Sequence, residues 1–200
     1  MSVYQNVEKY IEKHPGEIII PDDFRELNSE SGVRTALMRL VKAGKLDRLA
    51  QGIYYSPKTD PVVGKVYPSM DAIAGKVAER DKVALSPTGV TALNKLGLST
   101  QVPLKYVYLT NGTPRILRIG KSTIRFKNAS PRHLSYKGKI SGLIILALRE
   151  LGRKHVNENL LSQMAELLQK EDPRHLKHDI GHAPRWIADL LNTMRKTHLK

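Results

Sequence analysis

Between Ser56 and Pro68 the chain carries Pro57, Pro61, Gly64 and Pro68, and no helix runs through such a stretch. It divides the 200 residues into a short first part and a longer second part. We read it as the boundary between a domain over 1–60 and a domain over 66–200. Hydrophobic residues make up 40% of the chain and charged residues 26%, enough apolar content for packed cores in both parts. There is no cysteine, which excludes disulfides, thiolate zinc sites, iron–sulfur clusters and a cysteine nucleophile.

In the first part, Tyr4, Val7, Tyr10 and Ile11 recur at helical spacing, so residues 2–13 are expected to form an amphipathic helix. His14-Pro15-Gly16 ends it, and Glu17 to Ile20 is a short β-prone run. Pro21 opens a second short helix, with Asp22 and Asp23 at its positive end and Phe24 and Leu27 on its core face. A third helix is expected from Glu30 to Ala43. Val33, Ala36, Leu37, Leu40 and Val41 form its buried stripe, and Gly44 stops it. The opposite face carries Ser31, Thr35, Met38, Arg39 and Lys42, with Arg34 on the flank. Lys45 to Ala50 and Ile53 to Ser56 then read as two strands around Gln51-Gly52.

Three helices followed by a hairpin is the layout of a winged helix-turn-helix domain, in which the third helix enters the major groove and the hairpin follows the phosphates. The side chains suit that use. Arg34 and Arg39 are able to grip guanine or phosphate, Ser31 and Thr35 to bond phosphate or a base edge, Lys42 to neutralise phosphate, and Arg48 sits on the wing. The alternative is a solvated basic face on a module used for protein contacts.

The second part is expected to be α+β. Ser69 caps a helix over Met70 to Arg80. Ser86 caps another, with Pro87 at its first helical position and Gly97 at its end. Leu104 to Leu109, Arg115 to Ile119 and Thr123 to Lys127 alternate and are separated by Asn111-Gly112 and Gly120-Lys121, which predicts a three-strand antiparallel meander. Ile140 to Leu151 is apolar on nearly every side and reads as the central helix. Helices over 156–170, from Asp172-Pro173, and from Ala183-Pro184 complete the chain. The fold class is therefore α+β, an N-terminal winged helix-turn-helix followed by a mixed domain with a small antiparallel sheet and C-terminal helices.

The net charge is +14, which predicts an anionic partner. The excess is concentrated in residues 65–140, where fourteen lysines and arginines face only Asp71, Glu79 and Asp81. Arg115, Arg118, Lys121, Arg125 and Lys127 on the meander offer a second surface for an anionic partner.

Chemistry is harder to find. His175, His178 and His182, with Asp179 among them, have helical spacing for a metal, but Gly181 and Pro184 are expected to break the helix. Gly138-Lys139-Ile140-Ser141 precedes a helix but lacks the first glycine and the strand of a phosphate-binding loop. No set of carboxylates converges as two-metal chemistry needs. We expect no catalytic residues, no metal and no cofactor. Met1 to Lys13 has no apolar core of a signal peptide, and no stretch is long and apolar enough for a membrane, so a cytoplasmic protein is expected.

Over residues 1 to about 150 the sequence resembles the AbiEi-family antitoxins of type IV toxin–antitoxin systems. In the first part the likeness lies in Val33-Arg34-Thr35-Ala36-Leu37-Met38-Arg39-Leu40, Gly44-Lys45-Leu46 and Arg48-Leu49-Ala50-Gln51-Gly52-Ile53-Tyr54-Tyr55. In the second it lies in Ser86-Pro87-Thr88-Gly89, in the run from Ala92-Leu93-Asn94 through Gly97-Leu98-Ser99-Thr100-Gln101-Val102-Pro103, and in Tyr108-Leu109-Thr110-Asn111-Gly112. The resemblance implies a winged helix that binds operator DNA and represses its own operon. It also implies a second domain that counteracts a nucleotidyltransferase-like toxin without a stable complex. The alternative is a protein that binds RNA or the toxin's substrate through the basic second domain. Asn94 and Gln101, beside turns, are able to bond backbone groups or a ligand.

Overall fold

A computed structural model describes residues 2–99 and 103–197. Thr100, Gln101 and Val102, part of the run that carries the resemblance, lie outside the described residues. The chain is mixed α+β, with small, mostly antiparallel sheets and helices towards its C-terminal end. It divides into two compact units, Met1–Lys82 with Leu117–Gly120, and Val83–Ile116 with Lys121–Lys200.

The first unit begins with α1 (Val3–Lys13), whose start is fixed by Ser2 and Gln5 capping each other's backbone N–H. Then come β1 (Ile18–Ile19), a 3-10 segment (Pro21–Leu27), α2 (Glu30–Lys42), β2 (Asp47–Ala50) and β3 (Ile53–Tyr55). The three strands form one antiparallel sheet in the order β1-β3-β2. The short helix opened by Pro21 is thus of the 3-10 type. Phe24 leaves helical geometry to bury its ring, and seven residues give too few i→i+4 bonds to resist that. Val7, Ile11, Ile19, Phe24, Val33, Ala36, Leu37, Leu40, Leu46 and Tyr54 make one core. The Pro/Gly stretch is a two-strand ribbon, β4 (Lys58–Asp60) with β5 (Gly64–Val66), before α3 (Met70–Asp81). The Tyr55 hydroxyl donates to the Val66 carbonyl at 2.7 Å, and Lys76 on α3 pairs with Asp23 at 2.8 Å, both largely buried.

In the second unit, β6 (Leu85–Pro87) precedes α4 (Val90–Lys95). Ser86-Pro87 is therefore strand where a helix start was expected. Leu85, Ser86 and Pro87 lie opposite Thr110, Leu109 and Tyr108. Proline is tolerated there because β6 is an edge strand. The helix begins after Gly89, in a conformation with φ +58°.

The next strands are β7 (Lys105–Thr110), β8 (Arg115–Ile119) and β9 (Ser122–Asn128), in the sheet order β6-β7-β9-β8. They are not a meander. β9 sits between β7 and β8 and runs parallel to β7, with Tyr108 opposite Phe126. The Asn111-Gly112 turn leads out to the edge of the sheet, and Gly120-Lys121 turns the chain back into the gap. Residues 111–114 must cross two strand spacings, about 10 Å, which four residues easily span.

α5 (Pro131–Leu134), α6 (Ser141–Leu151), a 3-10 turn (Arg153–His155), α7 (Glu158–Leu168), α8 (Pro173–His182) and α9 (Arg185–Thr197) follow. α6 is the central helix. Its Ile144, Ile145, Ala147 and Leu148 are fully buried among Met164 of α7, Leu176 of α8 and Ile187 and Leu191 of α9. Gly181 does not break α8, which runs on to His182. A single glycine in a docked helix costs about 1 kcal/mol, less than the packing of Leu176 and its neighbours returns. Among the described residues no helix is long and apolar enough to cross a membrane.

Candidate nucleic-acid interface

α2 buries Val33, Ala36, Leu37 and Leu40 and so turns Ser31, Arg34, Thr35, Met38, Arg39 and Lys42 outward, all exposed. These positions are spaced 3, 4, 7, 8 and 11 residues from Ser31 and form one continuous stripe. Within it Arg34 pairs with Glu30 one turn back, and the Thr35 hydroxyl donates to the Ser31 carbonyl at 2.9 Å. Arg39 and Lys42 make no ion pair among the described residues. Lys45, just past the helix, is held by Glu8 at 2.6 Å and Glu12 at 3.4 Å of α1 and is not part of the stripe. Met38, 38% exposed, adds an apolar contact at the centre.

The hairpin β2–β3 follows directly. Arg48 lies opposite Tyr54, is exposed, and is the basic side chain of β2. Asp47 beside it is matched by Lys65 of β5 at 2.6 Å, so the hairpin does not present an uncompensated carboxylate. Ser31, Arg34, Thr35, Arg39, Lys42 and Arg48 thus come from two consecutive elements on a common apolar core.

In the second unit the register settles which meander cations point together. Val107 and Leu109 lie opposite Arg125 and Lys127, and Lys105 opposite Thr123. Lys105, Arg125 and Lys127 therefore share one face of the sheet, while Ile124 and Phe126 are buried on the other. Lys105 was not among the expected cations, because only the register of a non-consecutive strand pair reveals it. Lys127 reaches Glu150 at 3.3 Å. Arg115 points to the buried face, its guanidinium 5.3 Å from the centre of the Phe126 ring. Lys121 is exposed, as is Arg118, which falls in the first unit. No aspartate or glutamate occurs between Asp81 and Glu150, so charge compensation of this surface comes from outside that stretch, as Glu150 supplies for Lys127.

The other constellations are structural. The Asn94 amide donates to the Ser99 carbonyl at 2.9 Å, and Asn111 accepts from the Ala84 N–H at 2.8 Å. Both amides hold turns. At the start of α6, Asp179 accepts from the Lys137 and Gly138 N–H groups at 2.8 and 2.9 Å, and Glu171 from those of Ile140 and Ser141 at 2.7 and 2.9 Å. The helix N-terminus that resembles a phosphate loop is thus filled by the protein's own carboxylates. His178 and His182 stack with ring centres 4.3 Å apart, and His178 bonds Asp179 at 2.9 Å. Among the described residues no three His, Asp or Glu side chains come close enough to share a metal ion. Burial pushes the Asp179 carboxyl up, but the His178, Lys137, Ser141 and Gly138 hydrogen bonds outweigh it and hold the group below the usual carboxylate range.

No curated protein sequence matches this chain. Residues 5–176 match a family whose description is that of unknown function. That match spans both units and all of the elements from α1 into α8, and the chain belongs to the DUF6088 family.

Proposed function

We propose that the first unit is a winged helix-turn-helix that sets α2 in the major groove of DNA and lays the β2–β3 hairpin along the backbone. One observation carries this reading: the outward stripe of α2 holds Arg34, Arg39 and Lys42, and the next element adds Arg48. The order of elements and the antiparallel sheet β1-β3-β2 support it. Taken with the resemblance to AbiEi-family antitoxins, the protein acts in the cytoplasm as an autorepressor and antitoxin. It opposes a nucleotidyltransferase-like toxin by action rather than by a stable complex. It is a binding protein and not an enzyme.

The test is a fluorescence-anisotropy titration of the whole protein against DNA from upstream of its own gene, over a range of salt. Specific binding should exceed binding to scrambled DNA, and log affinity should fall linearly with log salt. Arg39→Ala and Lys42→Ala should each flatten that slope by about one phosphate contact. Equal affinity for both DNAs, or the same slope in all three proteins, would falsify the reading.

The shared face of Lys105, Arg125 and Lys127 in the second unit favours a second reading, in which these cations hold RNA and the first unit contacts protein. RNA binding that survives Arg34→Ala with Arg39→Ala and fails in Arg125→Ala distinguishes it.

A further inference from the structure

Because α8 runs unbroken from Pro173 to His182, His178 and His182 stand four residues apart on one side of a single helix. Their rings stack with centres 4.3 Å apart and planes 24° from parallel. Each ring is anchored by its Nδ1. That of His178 bonds the Asp179 carboxylate at 2.9 Å, and that of His182 bonds the His178 carbonyl at 2.9 Å. The Asp179 carboxyl is held ionised by its hydrogen bonds, and carbonyl and carboxylate oxygens only accept. Both Nδ1 atoms therefore carry the proton, and each neutral ring keeps its free lone pair on Nε2. Among the described residues neither Nε2 has a hydrogen-bond partner. The stack thus holds the end of α8 and leaves two nitrogen donors unused. Solvent reaches them, since both side chains are partly exposed. Asp179 flanks the pair on one side of the helix. Gly181, on the other, is exposed and has open space where a Cβ would stand. Arg132 meets this end of α8 at the His182 carbonyl, 3.1 Å from its Nε, and not at a ring nitrogen.

We propose that His178 and His182 chelate one divalent ion of the zinc type through their Nε2 atoms, with water completing its coordination. Two histidines at i and i+4 on a helix are a competent pair of ligands. Zinc–nitrogen bonds of about 2.0–2.1 Å at a tetrahedral angle place the two nitrogens about 3.3 Å apart. Drawing the Nε2 edges together by about 1 Å from the 4.3 Å centre spacing meets that, with the Nδ1 bonds as pivots. Imidazole nitrogen selects zinc, nickel or copper over magnesium and calcium, which take oxygen ligands. The carboxylate behind His178 is the outer support that such a ligand needs, since it fixes the tautomer, orients the ring and favours a cation beyond it. Asp179 is itself fixed by the Lys137 and Gly138 N–H groups and the Ser141 hydroxyl, so it supports the ligand and is not one. Two protein ligands with water in the other positions make an exchangeable site and not a closed structural one. The site lies within the second unit and stands whether or not α2 binds DNA.

The experiment titrates the full chain with zinc chloride near neutral pH and follows the ring nitrogens by long-range proton–nitrogen NMR, which also reads the tautomers. Without metal, both rings should carry the proton on Nδ1. Zinc should shift the Nε2 signals of His178 and His182 together, saturating at one ion per chain, and should raise the Tm. His178→Gln and His182→Gln should each weaken zinc about tenfold or more, because each removes one of two donors that act as a chelate. His155→Gln is the control. That ring is also anchored by its Nδ1, on the Leu151 carbonyl at 2.8 Å, but stands outside α8, and the variant should bind zinc as wild type does. Magnesium in large excess should leave the zinc signals unmoved. His178→Gln removes a partner of the buried Asp179, so if it fails to fold, His182→Gln decides alone. A response from one ring only, a proton on either Nε2, wild-type affinity in the folded variants, or an equal loss in His155→Gln overturns the site.

Discussion

The Ser141 hydroxyl donates to the Asp179 carboxylate at 2.7 Å, and both side chains are shut off from solvent. Through this contact α8 holds the first turn of the central helix, together with the N–H groups of Lys137 and Gly138. Asp179→Ala leaves the Gly138 N–H buried without an acceptor and the part-buried Lys137 N–H unmatched, and leaves the Ser141 hydroxyl only its 3.3 Å contact with Glu171. At about 1 kcal/mol or more for each lost partner, the variant should lose about 2 kcal/mol or more, seen as a lower urea midpoint for the second unit. A loss under about 0.5 kcal/mol would mean that the start of α6 is held by Glu171 alone.

Acid should act through the same carboxylate. Its pKa is lower in the folded chain than the ordinary value of about 3.9. The stability it contributes is complete above that value and is lost as the pH falls through the folded pKa. Asp172, which caps α8, is also held down, to about 2, by the Arg174 side chain and its backbone N–H, so its contribution fades in the same direction. Wild type should therefore lose stability more steeply than Asp179→Asn below about pH 4, with parallel curves between pH 5 and 7. Thermal unfolding across that range checks it, and parallel curves down to pH 2.5 would exclude Asp179 as the titrating group.

What the sequence made legible was whatever a single periodicity carries. α2 and α6 were readable because Val33, Ala36, Leu37 and Leu40, and the apolar run of Ile144 to Leu148, depend only on their own helix. Local chemistry misled where two structures share it. Ser86-Pro87 has the residues of a helix start and also those of a protected edge strand, and only pairing with Leu109 and Tyr108 decides. Asn111-Gly112 signals a turn but not which strand comes next, so the insertion of β9 between β7 and β8 was hidden. For the same reason Arg115 and Arg125 could not be assigned to opposite faces. The candidate groove-facing stripe was legible as the complement of a buried one.

On α2, the Glu30–Arg34 pair is largely exposed and contributes little to stability, about 0–1 kcal/mol. It nevertheless places a carboxylate beside the proposed DNA-facing stripe and occupies one of its arginines. Glu30→Gln should raise DNA affinity about two- to tenfold at low salt, with the gain shrinking as salt rises. Its cost to stability should stay under about 1 kcal/mol, from the loss of a negative charge in the first helical turn. Anisotropy at two salt concentrations is sufficient. Weaker binding by Glu30→Gln would show that Glu30 positions Arg34 rather than competing for it.

Gly89 joins β6 to α4 with φ +58° and ψ −133°, a region that residues with a Cβ avoid. A Cβ there would also lie 2.9 Å from Cγ of Glu150, the residue that Lys127 holds. Gly89→Ala combines backbone strain with displacement of that side chain, and should cost about 2–3 kcal/mol. Gly44, which ends α2 at φ +72°, has open space where its Cβ would stand. Gly44→Ala carries the backbone term alone and should cost about 1 kcal/mol. Chemical denaturation of both variants separates the two contributions. Glu150→Ala should recover part of the loss in Gly89→Ala, because it removes the clash and leaves the strain. No recovery in the double variant would assign the whole effect to the backbone.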